Sequence, residues 1–236
     1  MNGLTEYEKF LIIRPLPPDH VYDIDGMPLI KKDSFEEFGN NQKYTTFSNI
    51  NSVKDKQNHI ITFFQYDNTL MRVWNNPIKY ISKFKEFYAL TTPDFSVYSN
   101  MNKIQIANSV YMNRWLGCIW QYAGIKVIPT ITWANEDTYD ICFSGIEKGS
   151  IVAISTIGCI NDIESYLKGF NEMKKRLNPS LIIVKGKIIK GMSGKFINLD
   201  FSDTFNVSKN YEQLSFSTIN RIYEIKEEDM YGWKRH

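Results

Sequence analysis

The feature that most constrains the fold is a pattern that occurs five times between residues 61 and 186. Each occurrence has a short apolar run, a polar cluster at its end, and then a segment with the spacing of an amphipathic helix. Runs of β-branched and aromatic residues followed by a helical period are typical of βα units, and βα units in series build a parallel sheet. The runs span residues 61–66, 87–90, 126–133, 150–155 and 181–184. We therefore predict an α/β fold with a mainly parallel sheet of about five βα units, either barrel-like or open.

The regions on either side of this pattern have a different character. Three prolines at positions 15, 17 and 18 favour an extended start, because proline fixes φ and biases the preceding residue away from helix. We predict an irregular N-terminal section packed on the core at 1–59, an α/β core domain at 60–190 and a C-terminal extension at 191–236. Within that extension, we expect a loop or hairpin around residues 191–194.

The helices of the core can be placed from their apolar spacing. The strongest is predicted over residues 102–122, with a stop at Gly124, and a second over 162–177, capped by Asn161. Residues 137–144 are read as either a short helix or an extra strand. Pro129 lies inside a predicted strand, where it removes a hydrogen-bond donor, so a bulge or bend is expected there.

Composition and charge exclude several classes of protein. The 28 basic residues nearly balance the 26 acidic ones, and a net charge of +2 does not suit a protein that coats DNA. The overall balance does not exclude a local basic groove. No run approaches the roughly 20 apolar residues of a membrane helix, and the N-terminus does not resemble a secretory signal. Three cysteines without metal-ligand spacing indicate reduced core thiols. A cytoplasmic protein without membrane contact is expected.

Histidine is scarce, which narrows the chemistry. The chain has only His20, His59 and His236. A Ser-His-Asp triad or a multi-histidine metal site would have to recruit loop residues. Catalysis, if present, is expected to use carboxylates, hydroxyls, lysines or backbone amides.

Polar residues follow all five predicted strands, and the carboxyl ends of parallel strands share one edge of the sheet. They are Asp67, Thr92, Asp94, Ser96, Trp133, Asn135, Ser155, Thr156, Lys185 and Lys187. We call this edge the rim. Asp67 and Asp94 are the catalytic candidates, as general acid and base or as ligands of a divalent metal.

Four further residues are candidates for ligand binding. Ser96 and Thr156 offer hydroxyls, Trp133 offers a stacking surface, and Arg114 on the long helix offers a cation. Each has a plainer alternative. Strand-end aspartates and hydroxyls commonly form turns and caps, and Trp133 and Arg114 also suit a packing surface.

Three blocks of this chain together resemble a known family. They are Pro-Asp-Phe-Ser at 93–96, Arg-Trp-Leu-Gly at 114–117, and Pro-Thr-x-x-Trp at 129–133. The sequence is similar, over roughly residues 60–190, to the bacterial and phage family of unknown function numbered 4417. The resemblance implies a phage or mobile-element context rather than a reaction.

The resemblance also marks recurrent polar positions. They are Asp67, Trp74, Asp94, Ser96, Arg114, Gln121, Trp133, Asp140, Thr156 and Gly158. Position 144 departs from the pattern: similar sequences tend to have Asp before the glycine, and this chain has Ser144. If that Asp were catalytic in relatives, the activity of this chain would be in doubt.

Two functions are therefore predicted. The leading one is an enzyme-like rim site for a nucleotide or nucleic acid, with a divalent metal as a candidate cofactor. The rival is a non-catalytic protein that modulates a host or phage complex through its first 60 residues and its tail. Tight pairing of Asp67 with Asp94, together with a perturbed pKa and a concave pocket, would favour the first. A flat rim filled by N-terminal side chains would favour the second.

Overall fold

A computed structural model describes residues 3–35, 38, 42–159 and 162–199, all within one compact unit, Met1–Asp203. Its strands are β1 (Lys43–Thr46), β2 (His59–Thr62), β3 (Ala89–Thr91), β4 (Val127–Ile128), β5 (Ile151–Ser155), β6 (Leu181–Lys185) and β7 (Phe196–Leu199). Its α-helices are α1 (Glu6–Ile13), α2 (Asp67–Asn75), α3 (Ile81–Phe84), α4 (Lys103–Tyr122), α5 (Tyr139–Cys142) and α6 (Ile163–Leu177). Short 3-10 turns cover Phe47–Asn49, Lys56–Asn58 and Glu136–Thr138.

The strands form two parallel sheets in chain order, β1-β2-β3-β4 and β5-β6-β7, which confirms the predicted α/β class. The break between the sheets falls at Pro129, where a bulge or bend within one continuous strand was predicted. A single parallel bridge, Thr130 to Ala153, links the two sheets across this break. Ile131 N–H donates to Ala153 O at 2.8 Å, and Ala153 N–H donates to Pro129 O at 2.9 Å. The seven strands therefore follow one another without a reversal of order.

The two faces of the sheets bury different clusters. Because side chains alternate along a strand, Ile61, Leu90 and Val152 face the helices, where they pack with α4 and α6. The opposite faces converge on one inner cluster to which every strand contributes. Its strand residues are Tyr44, Ile60, Ala89, Ile128, Ile151, Ala153, Ile183 and Leu199. No pairing joins β7 to β1 in the described ranges, so the arrangement is not a closed barrel.

Two strands lie outside the predicted five. β1 falls in the section expected to be irregular. It pairs in parallel with β2, with Lys43 opposite His59 at one end and Thr46 opposite Thr62 at the other. β7 pairs in parallel with β6, so residues 186–195 form a crossover rather than the predicted hairpin alternative. Both strands have four residues. So short a segment carries too little alternation to be recognised from sequence.

The helices confirm most of the predicted spacing. Asn102 caps α4, where its side chain accepts from Gln105 N–H at 3.0 Å, and Gly124 follows the helix with φ of +83°. α6 is capped by Asp162, which accepts from Ser165 N–H at 3.0 Å; this corrects the predicted cap at Asn161, a residue outside the described ranges. Residues 137–144 contain the helix α5 rather than a strand.

The N-terminal section reaches the end of the sheet opposite the rim. Phe35 and Phe38 pack with Tyr88, with ring centroids 6.3 and 6.2 Å away, and Lys126 Nζ lies 5.2 Å from the Tyr88 ring centroid. Tyr88 and Lys126 precede β3 and β4, so these aromatic rings cover the amino ends of the strands. Among the described helices, none is long and apolar enough to cross a membrane.

Candidate functional site

The rim begins where β2 and β3 end. Beyond the ladder, Phe63 N–H donates to Thr91 Oγ1 at 3.1 Å, and Asp94 N–H donates to Phe63 O at 3.3 Å. These bonds hold the segment after β3 against the segment after β2. As a result, Asp67 and Asp94 reach the same edge of the sheet.

Asp67 is the first residue of α2, where its charge suits the helix dipole. Its Oδ1 accepts the backbone N–H of Ser96 at 3.1 Å, so two predicted site residues are in direct contact. The Ser96 hydroxyl lies 3.1 Å from Tyr98 Oη, and Ser96 O accepts from Ser109 Oγ at 2.9 Å. Asp67 is exposed and Ser96 is half-buried, so both lie at the solvent-facing part of the rim.

Asp94 is half-buried, and its carboxylate accepts a 2.5 Å hydrogen bond from Thr132 Oγ1. Burial raises the pKa of Asp94 to about 6; the bond from Thr132 lowers it in part, and the negative charge of Asp67 raises it. A carboxyl group with this pKa exchanges its proton close to neutral pH, as general acids and bases must. Asp94 is thus the residue of the rim best suited to proton transfer.

Two residues on the β5 side of the rim are electrostatically coupled to Asp94. Burial, followed by the Asp94 charge, raises the pKa of the Cys159 thiol to about 11. Burial likewise raises the pKa of the Tyr166 phenol, with smaller contributions from Cys159 and Asp94. Tyr166 donates its hydroxyl to Ser155 O at 3.1 Å. Both side chains are therefore protonated at neutral pH and lie near the Asp94 carboxyl.

Sequence reasoning did not select Thr132, Cys159 or Tyr166. Cys159 does follow the predicted strand at 150–155, which was an available signal, whereas Thr132 lies inside the predicted strand at 126–133. Tyr166 was assigned to the core stripe of its helix, and the periodicity that buries a tyrosine does not reveal where its hydroxyl points.

Trp133 lies against α6 at the side of the rim. Its ring centroid is 4.8 Å from that of Tyr166 and 6.0 Å from that of Phe143. Gly169 makes this packing possible, because a Cβ at that position would lie 2.2 Å from Trp133 Nε1. The indole is half-buried, so one part of the ring packs against the fold and another part is accessible to solvent. Its predicted role in ligand stacking stays a prediction.

Thr156 supports the turn after β6. Its buried hydroxyl contacts Lys187 O at 2.8 Å and Lys185 O at 3.3 Å, and its N–H donates to Lys185 O at 2.9 Å. The hydroxyl proton is thus committed to main-chain carbonyls. Only the lone pairs of Thr156 Oγ1 would serve a ligand.

The Arg114 side chain lies on a buried face of α4 and is not exposed to solvent. Its guanidinium donates to Ser144 O, Cys142 O and Thr130 O at 2.9 to 3.0 Å, and to Asn113 Oδ1 at 2.6 Å. Burial lowers its pKa to about 10, so it stays protonated at neutral pH. A small cavity beside it is lined by Phe95, Val97, Ser109, Val110, Asn113, Arg114, Thr130 and Thr132.

Three further positions marked by the resemblance make contacts that hold the fold together. The Arg14 guanidinium packs over Trp74, with its Cζ 3.8 Å from the centroid of the indole ring. Gln121 binds Lys31 O and Asp33 Oδ2, each at 2.8 Å, and so fastens the N-terminal section. Asp140 pairs with Arg176 at 2.5 Å.

Gly158, a recurrent position, and Ser144, which departs from the pattern, are the two small residues that the resemblance singles out. Gly158 adopts φ of +83° after β5, a region that favours glycine. Ser144, the residue that departs from the family pattern, accepts from Arg114 through its carbonyl and donates its hydroxyl to Ile141 O at 2.7 Å. Over the described ranges, no cluster of three or more metal-ligating side chains occurs.

Comparisons with known proteins identify relatives among phages. The chain is 39% identical over 136 residues to the Gene 1 protein of Mycobacterium phage L5, which covers 56% of this chain and 59% of that protein. It is 36% identical over 129 residues to the Gene 1 protein of Mycobacterium phage D29, which covers 53% of this chain and 48% of that protein. The match thus spans about half the length of these relatives. No solved structure matches.

A family model covers much more of the chain than these pairwise matches. The model of the Domain of unknown function (DUF4417) matches residues 22–202, which include every candidate residue of the rim. The resemblance read from the three motif blocks is thereby confirmed. The chain belongs to the DUF4417 family.

Proposed function

We propose that the rim is a ligand-binding and catalytic site in which Asp94 transfers a proton and Asp67 acts as the second carboxylate. One observation carries the proposal: Asp94 has a pKa raised to about 6 and lies within the electrostatic influence of Asp67 at the carboxyl ends of β2 and β3. Ligands of parallel sheets bind at this edge. Buried acids beside a second charge are typical of active sites.

One of the predicted discriminating features, a perturbed pKa, supports the rim site, whereas the cavity beside the rim is lined by neither Asp67 nor Asp94. The negative charge of Asp67 raises the pKa of Asp94. The aromatic side chains Phe35 and Phe38 of the N-terminal section pack at the other end of the sheet, beside Tyr88. The rim is therefore not filled by these two N-terminal rings.

The proposed ligand is a nucleotide or a nucleic acid, in keeping with the phage relatives and with accessible aromatic groups at Trp133, Tyr66 and Tyr98. Charge limits how such a ligand enters. Among the described side chains, no lysine or arginine contributes to the shifted pKa of Asp94. Phosphate would be repelled by the two carboxylates unless a divalent metal neutralised them. We therefore propose that the base or sugar approaches Asp94, or that a metal accompanies the phosphate, in a cytoplasmic setting.

The experiment is a thermal-shift panel of nucleotides, short oligonucleotides, Mg²⁺, Mn²⁺ and Ca²⁺ on the wild type and on the double variant Asp67→Asn/Asp94→Asn. A ligand at 100 times its dissociation constant stabilises a fold by about 2.7 kcal/mol, which moves the melting temperature measurably. We expect a shift in the wild type that the double variant loses.

The matched control is Asp19→Asn/Asp25→Asn, which removes the same charge from the exposed N-terminal section. The control should keep the ligand-induced shift. Loss of the shift in both double variants would indicate a general charge effect and would contradict a specific site. A wild type that shifts with nothing would favour the interaction hypothesis.

The alternative of an interaction protein has one observation in its favour. The N-terminal section exposes several apolar side chains, among them Ile12, Ile13, Val21 and Tyr22 at 50 to 60% and Ile24 at 99%. Exposed apolar groups of this kind are common at binding surfaces. Under this proposal, Ile24→Asp would abolish capture of a partner from host or phage extract, whereas Asp67→Asn/Asp94→Asn would leave it intact.

A further inference from the structure

Asn113 is buried in the middle of α4, yet it carries an amide side chain with four hydrogen bonds. Its Nδ2 donates to Pro93 O at 2.7 Å and to Thr130 O at 3.3 Å. Its Oδ1 accepts from Thr92 Oγ1 at 2.9 Å and from Arg114 Nη1 at 2.6 Å. A carboxamide offers two donors and one oxygen with two lone pairs. The amide of Asn113 is therefore saturated by protein groups.

Three of its four partners, Thr92, Pro93 and Thr130, lie at two neighbouring strand ends where the regular ladder is interrupted. Pro129 stops β4, and side chains replace the ladder from that point: Thr130 N–H donates to Thr92 Oγ1 at 2.7 Å, and Thr130 Oγ1 donates to Thr92 O at 2.6 Å. Asn113 contacts both sides of this crosslink. It thus joins the segment after β3 to the segment after β4.

The crosslink lies next to the Asp94 contact in both segments. Pro93, held by Asn113, directly precedes Asp94, and Thr130 lies two residues before Thr132. The 2.5 Å bond between Thr132 and Asp94 depends on the spacing of these two segments. Fully satisfied buried polar networks of this kind fix geometry more firmly than apolar contacts do.

We propose that Asn113 is the positioning residue of the rim site: its amide sets the approach of Thr132 to Asp94 without touching a ligand itself. This inference rests on the proposed function, in which Asp94 is the proton-transfer group. It adds a role for α4, four residues of which line the small cavity beside the rim: Ser109, Val110, Asn113 and Arg114.

The test is the titration of the Asp94 carboxyl by ¹³C NMR in the Asn113→Leu variant. The groups that face Asp94 are Asp67 from α2, Thr132 after β4, and Cys159 and Tyr166 on the β5 side. Only the Thr132 contact should change. We expect the midpoint to rise by at least about half a pH unit, because a hydrogen bond that favours the ionised form is weakened.

Gln121→Leu is the matched control. Gln121 lies on the same helix, and its side-chain amide also forms hydrogen bonds, but to Lys31 and Asp33 of the N-terminal section. It should lower stability without moving the Asp94 midpoint. An unchanged midpoint in Asn113→Leu, or an equal shift in both variants, would overturn the proposal.

A second variant keeps the proposal testable if Asn113→Leu fails to fold. Thr92→Val preserves the side-chain shape but removes the hydroxyl that joins Asn113 to Thr130 N–H. Its Asp94 midpoint should rise as well, and an unchanged midpoint would count against the proposal. The titration needs no ligand. If the ligand panel fails while the Asp94 midpoint shifts as expected, the proposed function is wrong but the positioning role of Asn113 stands.

Discussion

Thr132 Oγ1 lies 2.5 Å from Asp94 Oδ1, although the two residues are 38 positions apart in the chain. The bond joins the segments after β3 and β4 and opposes the effect of burial on the Asp94 carboxyl. Two neighbours thus act on Asp94 in opposite directions: the hydroxyl of Thr132 favours the ionised form, and the charge of Asp67 disfavours it.

Thr132→Val and Asp67→Asn should move the pKa of Asp94 in opposite directions. Loss of the Thr132 hydroxyl should raise it above about 6, and loss of the Asp67 charge should lower it. The ¹³C NMR titration of the Asp94 carboxyl measures both effects. Thr138→Val, which removes another buried threonine hydroxyl bonded to Asn135 O, is the control and should change nothing. Shifts of the same sign in the two rim variants would contradict the assignment.

Asp94→Asn should stabilise the protein at pH 8 relative to the wild type, but not at pH 4. The pKa of Asp94 is raised from 3.8 to about 6 in the folded state. Between these values the folded state holds a proton that the unfolded state has lost, so stability falls as pH rises through this window. The expected gain at pH 8 is about 1–3 kcal/mol, since one pKa unit corresponds to about 1.4 kcal/mol and the Thr132 contact is altered.

Urea unfolding of both proteins at pH 4 and pH 8 measures this difference. Asp25→Asn, on the exposed N-terminal turn, should give no pH-dependent gain. A variant that is equally or less stable than the wild type at pH 8 would show that Asp94 is not held in an unfavourable charged state.

Arg114→Leu should lower the free energy of unfolding by about 3–5 kcal/mol, because it removes the guanidinium donors to the buried carbonyls of Cys142 and Ser144. Arg114→Lys should not restore stability, since an ammonium group cannot reproduce the planar fork. Urea denaturation at neutral pH measures the loss. Arg176→Leu removes surface ion pairs with Asp140 and Glu172 and should cost at most about 1 kcal/mol. Equal losses at the two arginines would contradict the structural role of Arg114.

Gly169→Ala should displace Trp133, because the new Cβ would lie 2.2 Å from the indole nitrogen. The better helix propensity of alanine does not offset this clash, so a net loss of about 1–3 kcal/mol is expected. Near-UV circular dichroism and urea unfolding measure the effect. In a Trp133→Phe background the cost should shrink, because the smaller ring leaves space.

Gly117→Ala is the control for that experiment. Gly117 is also a crowded helical glycine, but its neighbour is Ile30, whose Cδ1 would lie 2.5 Å from the new Cβ. Its cost should be independent of Trp133→Phe. A Gly169→Ala cost that is unchanged in the Trp133→Phe background would show that the contact with the indole is not the cause.

The candidate site was in part visible in the sequence. Asp67, Asp94 and Ser96 could be placed together because they follow apolar runs, and parallel strands deliver their carboxyl ends to one edge. The contact of Asp67 with Ser96 N–H agrees with that placement. Arg114 is different: its position on a helix with aromatic neighbours did not reveal that it is buried and bonded to carbonyls of residues 130, 142 and 144.

By itself, the sequence determined the α/β class, the parallel strands at the five apolar runs, the helices α4 and α6, an irregularity at Pro129 and the family. These features are local, since side-chain period, caps and proline act within a few residues. Only the tertiary structure decided that β1 and β7 join the sheets, that Thr132 meets Asp94, and that Cys159 and Tyr166 face the same carboxyl. These contacts depend on how loops continue beyond the strand ends, and hydrogen bonds between residues distant in the chain set that course.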